Sequence, residues 1–147
     1  MPETKGLEVG FDGGKLVRGR KRSIVVDTMG YVICVLVHAA NIYDGKAGMI
    51  LLDKVFKKYQ LKKIFADSTY RGEFVKYLNE QYHCEVEIKL PEEKGFKVIK
   101  IRWIVERTFA WLTRNRRLVR EYERNTSSSE AMVYIASSRL ILKHLSF

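Results

Sequence analysis

The sequence predicts an α/β fold in which helices pack against a mixed sheet. Three observations carry this. A β-branched run, Ser23–Val26, is followed across a turn by the wholly apolar Tyr31–Ala40; two amphipathic helical patterns then alternate with two short strand patterns; and the chain finishes in long helical stretches. With 147 residues, 46% of them hydrophobic, a single domain over residues 1–147 can bury a core without disulfides.

Residues 1–14 hold Pro2 and four glycines among few apolar side chains, which predicts an extended start. Lys15 to Arg22 carries five cations and no acid, and leads straight into the first strand. Asp27-Thr28-Met29-Gly30 places Asp first and Gly last in a type I turn, so the two strands form a hairpin whose return strand is buried on both faces. After the polar break Asn41–Gly45, residues Ala47, Ile50, Leu51, Val55, Phe56 and Tyr59 recur at helical spacing, with Lys54, Lys57 and Lys58 turned outward. Leu61–Ala66 reads as a short strand ending at Asp67. A helix follows from about Arg71 to Tyr82, then a half-exposed strand, Cys84–Lys89, and a charged loop, Pro91–Lys97. From Ile101 to Leu118 the apolar positions Ile104, Val105, Thr108, Phe109 and Leu112 trace one helix face, with Arg102 and Glu106 four apart on another. Ser127-Ser128-Ser129-Glu130 reads as a capping box opening the last helix, which runs through Leu145.

A net charge of +10 beside 12% aromatic residues points to a polyanionic partner, nucleic acid before membrane. The longest apolar stretch is too short to cross a bilayer and no signal-peptide pattern precedes it, so a cytoplasmic location is expected. Cys34 and Cys84 have neither zinc-ligand nor disulfide-framework spacing and read as reduced core residues. His38, inside an apolar strand, reads as a satisfied core histidine. Trp103 and Trp111 read as packing residues, with stacking on an unpaired base as the alternative.

Two carboxylates stand out. Asp67 ends a strand, where catalytic groups of such sheets gather, but a turn or N-cap aspartate is an equal reading. Glu106, flanked by Arg102 and Arg107, is either a surface ion pair or a metal ligand. Carboxylates converging on one point bind hard divalent cations, and a pair of such ions about 3.5–4 Å apart supports phosphodiester transfer.

Gly19-Arg20-Lys21-Arg22, Val26-Asp27-Thr28-Met29-Gly30, Val37-His38-Ala39-Ala40-Asn41 with Asp44, Ala66-Asp67 with Tyr70-Arg71-Gly72, Val105 to Leu112, and Arg116-Arg117-Leu118 occur in this order. Together they resemble the catalytic region of DDE transposases of bacterial insertion sequences, of the group usually numbered four and five. The resemblance runs from about Gly6 to Leu145. It implies a ribonuclease-H-like mixed sheet and Mg²⁺- or Mn²⁺-dependent DNA strand cleavage and transfer at transposon ends, with two ions in the complete enzyme. Asp67 corresponds to the second acidic residue and Glu106 to the third. The family's first aspartate lies on a strand upstream of the Gly-Arg-Lys-Arg segment. That strand is expected to be missing here, which would leave a sheet gap that an upstream transposase chain could fill. Asp27 is accounted for by its turn. Candidate DNA contacts are Lys21, Arg22, Arg71, Arg102, Arg107, Arg114 and Arg117. The expected partners are transposon-end and target DNA, with a homo-oligomer when active, nucleoid association and no membrane. The alternative is a catalytically inactive, transposon-derived DNA-binding or regulatory module. Nothing in the resemblance makes Tyr70 a covalent nucleophile.

Overall fold

The computed structural model describes residues 9–90 and 100–146. The expected Pro91–Lys97 loop, most of the extended start and the side chain of Ile101 lie outside the described residues. Strand β1 (Gly10–Asp12) pairs antiparallel with the first residues of β2 (Val17–Val26), and β2 pairs antiparallel with β3 (Val32–Ala39). The β2–β3 turn forms as its chemistry dictates. The Gly30 amide donates to the Asp27 carbonyl at 3.0 Å, while the Asp27 carboxylate accepts from the amides of Met29 and Tyr31. Helix α1 (Asp44–Phe56) follows, then β4 (Lys63–Asp67), a 3₁₀ turn (Ser68–Tyr70), helix α2 (Glu73–Tyr82) and β5 (Glu85–Lys89). Strands β4 and β5 make a separate two-stranded parallel sheet, in which Asp67 stands opposite Lys89. Helix α3 (Lys100–Thr113), a single turn α4 (Arg116–Val119) and the long helix α5 (Thr126–Leu145) complete the chain. The expected Ile101–Leu118 helix is thus broken after Thr113, where the amides of Arg114 and Asn115 bond back to Trp111 and Leu112.

The period-2 alternation of β3 explains the layers. Leu36 faces a core made by Ala47, Leu51, Leu52 and Val55 of α1 with Phe74 and Leu78 of α2. Val35 and Val37 face the opposite way, onto Leu112, Leu118, Val133 and Ala136 of the three later helices. The sheet is therefore sandwiched, which is why an uninterrupted apolar strand was needed there. Close packing of α1 depends on Gly48: a Cβ there would come within 2.8 Å of ring atoms of both Phe74 and Tyr70. Asp53 of α1 ties α2 down by accepting from the hydroxyls of Tyr77 and Tyr82, and the Tyr82 ring stacks on Phe56 at 4.1 Å. Helix α2 ends at His83, which adopts the left-handed conformation usually given to glycine.

The expected capping box does not form. Helix α5 starts one residue earlier, after Asn125, and no side chain caps it. Glu130 reaches instead to the β3 backbone, accepting from the Val37 amide at 3.0 Å, and the Tyr134 hydroxyl accepts from the Val35 amide at 3.1 Å. A tertiary need outweighs a local cap here, because amides of a buried strand left unpaired cost more than an exposed helix start.

His38, 6% exposed, lies in β3 as a satisfied core residue: its Nδ1 is 3.0 Å from the Ala39 carbonyl and its Nε2 is 2.9 Å from the Ser23 hydroxyl. Nδ1 thus carries the proton and Nε2 accepts from Ser23. Burial, the largest cause, holds the ring below its ordinary pKa of 6.5. A depressed histidine pKa favours the folded state fully above the unfolded value, and that contribution is lost as pH falls through 6.5 toward the folded value. Between pH 7.5 and 5.5 the wild type is expected to lose more melting temperature than His38→Gln, which scanning calorimetry of both proteins measures.

Candidate active site

The side chains of β4 alternate. Ile64 and Ala66 turn toward α1 and α2, while Lys63, Phe65 and Asp67 lie on the solvent face. At the carboxyl end of the strand, Asp67 caps the 3₁₀ turn: Oδ1 accepts from the Thr69 amide at 2.9 Å and also from the Thr69 hydroxyl. Both bonds use one oxygen. Oδ2 has no partner among the described residues, so the turn-capping role and a ligand role are compatible in one carboxylate.

Glu106 projects from α3, and the i,i+4 pairing read from the sequence forms: Arg102 Nε donates to Glu106 Oε1 at 3.0 Å, with both side chains 61% exposed. An ion pair that open to water contributes only a few tenths of a kcal/mol at most, about 0.3–0.5. It therefore constrains Glu106 little, and Oε2 has no partner among the described residues. Helix α3 runs beside β4, so the two elements bearing the acids are neighbours. Among the described residues, no group of three His, Cys, Asp or Glu side chains is placed to hold a metal ion.

Tyr70 lies behind Asp67. Burial, aided by the charges of Asp44 and Asp67, pushes its phenol up to about 12, so it stays protonated and a poor nucleophile at neutral pH. Cys84 is likewise pushed up by burial and remains a thiol, and both cysteines are free.

The cations separate into two groups that the sequence does not distinguish. Lys21 pairs with Asp12 at 3.1 Å and Asp44 at 3.7 Å. Arg22 donates to the Leu118 carbonyl at 2.8 Å and faces Glu121. Arg117 is paired with Glu123 at 2.7 Å. Arg107 donates to the Met29 carbonyl at 2.6 Å and lies between the rings of Trp103 and Trp111. By contrast Arg71 and Arg114 are exposed and unpaired among the described residues, as are Arg116 and Arg120. Arg71 also lines a shallow recess with Gly72, Ile88 and Leu90, on the edge where Asp67 stands. The structure also brings Lys89 beside Asp67, through the parallel register of β4 and β5. No local signal in the sequence could have indicated that neighbour, because strand pairing across a helix is a long-range choice.

Residues 2–141 match the family described as Transposase DDE domain. The chain belongs to that transposase family. It is also 31% identical over 115 residues to a Burkholderia cepacia protein described as "Putative transposase for insertion sequence element IS402", an alignment covering 72% of this chain and 54% of the relative. The chain thus spans about half the length of the curated relative it matches. The transposase domain has the mixed α/β architecture just described, and among its described residues no helix is long and apolar enough to cross a membrane.

Proposed function

We propose that this transposase domain performs metal-dependent cleavage and transfer of DNA strands at transposon ends, with Asp67 and Glu106 as two of its metal ligands. The observation that carries the reading is that these two acids, each with one carboxylate oxygen unpartnered among the described residues, sit on adjacent elements of a DDE transposase domain. Carboxylate oxygens are the hard donors that Mg²⁺ and Mn²⁺ prefer. When bound, such ions would supply a nucleophilic water or hydroxyl at neutral pH and stabilise the leaving oxygen. Asp67 is held at the carboxyl end of β4 by its Thr69 cap, and Glu106 is carried on α3 beside that strand.

A third carboxylate completes the ligand set in this reading, contributed by a strand outside the described residues or by another chain. The separation of β2–β3 and β4–β5 into two sheets, with no strand pairing them among the described residues, supports such an arrangement. The second reading, a DNA-binding or regulatory module without catalysis, is favoured by the observation that no group of three His, Cys, Asp or Glu side chains among the described residues is placed to hold a metal ion. Nicking of transposon-end DNA in Mg²⁺, measured with and without a peptide carrying the upstream aspartate strand, separates the two. Activity in either mixture supports the enzyme, and inactivity in both, with DNA affinity intact, supports the module.

DNA is held in both readings by the unpaired cations Arg71, Arg114, Arg116 and Arg120. Four phosphate contacts predict that log affinity falls with log salt at a slope of about −3 to −4. Arg114→Ala is expected to reduce that slope by about 1, as titrations at several salt concentrations measure. A flat response removes the phosphate-binding reading.

A further inference from the structure

We propose that Arg107 is a positioning residue rather than a DNA contact: clamped between Trp103 and Trp111 and bonded to the β2–β3 turn, it sets where Glu106 stands. This rests on the reading of Glu106 as a metal ligand. The Arg107 guanidinium carbon is 4.6 Å from the Trp103 ring centroid and 4.4 Å from that of Trp111, so the cation is stacked on both sides. One terminal nitrogen donates to the Met29 carbonyl at 2.6 Å, while Nε is buried with no hydrogen-bond partner among the described residues. One N–H of the guanidinium is thus committed to the turn and another is buried, so its placement follows the turn and the two rings.

The adjacent residue anchors to the same turn. The Thr108 hydroxyl, buried, is 2.6 Å from the Gly30 carbonyl and 3.0 Å from the Ile104 carbonyl. The turn can approach this closely only because residue 30 is glycine: its φ is +90°, and a Cβ would lie 2.9 Å from Thr108 Oγ1 and 3.0 Å from the Arg107 nitrogen. Glu106 immediately precedes both anchors, whereas its own ion pair with Arg102 is exposed and weak. The rotation and height of α3 at Glu106 are therefore fixed by the hairpin turn through Arg107 and Thr108.

The chain has two tryptophans, both in this clamp, so 5-fluorotryptophan labelling reads it directly. Two separate, narrow ¹⁹F lines are expected for the wild type. They should collapse toward the position of a solvent-exposed tryptophan in Arg107→Ala and in Arg107→Lys, because an ammonium keeps the charge but not the planar stack. Thr108→Val should disturb them and Thr108→Ser should restore them, while circular dichroism reports an intact fold. Mn²⁺ added to the labelled protein should broaden the line of Trp103, three residues before Glu106, and the half-broadening concentration should rise about tenfold or more in Arg107→Lys and Thr108→Val. The slope of DNA affinity against salt should not change in any of these variants. Unchanged ¹⁹F lines in Arg107→Ala, or a salt slope reduced by about 1, would overturn the proposal in favour of a phosphate contact. A wild-type spectrum indifferent to Mn²⁺ defeats the metal reading of Glu106 alone, and the two lines still decide whether Arg107 fixes the helix.

Discussion

Cleavage of transposon-end DNA in Mg²⁺ is expected to fall more than about 100-fold in Asp67→Asn and in Glu106→Gln, since losing even an outer-sphere partner of a metal ligand costs about 10- to 100-fold. Both substitutions keep shape and remove charge. In Asp67→Asn the side-chain carbonyl still accepts from the Thr69 amide, so the 3₁₀ turn that begins at Ser68 is preserved. Glu106→Gln removes the exposed ion pair with Arg102, and stability should move by less than about 0.5 kcal/mol. Neither position is among the unpaired cations, so DNA affinity should be unchanged or slightly higher as negative charge is removed. Gel-based cleavage with the full-length protein, alongside affinity titrations and thermal melts, separates chemistry from binding and folding. A variant that cleaves like wild type would remove that residue from the metal site.

The largest stability loss among the basic residues is expected from Arg20→Ala, about 2–4 kcal/mol. Its side chain is 6% exposed and lies near Glu121 at 3.8 Å. One terminal nitrogen donates to the Glu123 carbonyl at 2.9 Å and the other to the Arg124 carbonyl at 2.7 Å. Truncation would leave two carbonyls without their donor and Glu121 with Arg22 alone of its two arginines, and would free the segment that joins α4 to α5. Arg18, two residues earlier in the same basic run, is exposed with no partner among the described residues, and Arg18→Ala should change stability by less than about 0.5 kcal/mol. Urea unfolding gives the contrast: a lowered midpoint at unchanged m-value for Arg20→Ala, and superimposable curves for Arg18→Ala and wild type. Equal midpoints in the two variants would mean that the 118–124 segment is held by other contacts.

The same strand illustrates what could and could not be read in advance. The Lys15–Arg22 run reads from sequence as a uniformly basic tongue, and Lys21 and Arg22 as DNA contacts. In the fold, alternation along β2 sends Arg20 and Arg22 toward residues 118–124 and Lys21 toward Asp12 and Asp44. Composition counts all of them as equal positive charge, although most of that charge is already answered within the protein.

By itself the sequence determined the local elements, because hydrophobic period and turn chemistry act over a few residues. The hairpin around Asp27–Gly30, the buried strand β3, the amphipathic face of α1, the Arg102–Glu106 pair and the placement of Asp67 at a strand end all follow from neighbours within about one helical turn. The ordered motifs also pointed to the transposase family that the match over residues 2–141 shows. Tertiary structure alone decided how distant side chains are shared out. Glu130 was diverted from a helix cap to a strand amide 93 residues away, Arg107 from the helix surface to a turn carbonyl 78 residues away, and Arg20 to carbonyls more than 100 residues away. For Glu130 and Arg20 the deciding term is the cost of leaving a buried polar group unpaired, and for Arg107 it is the contact with two aromatic rings; which groups meet is settled only when the layers pack.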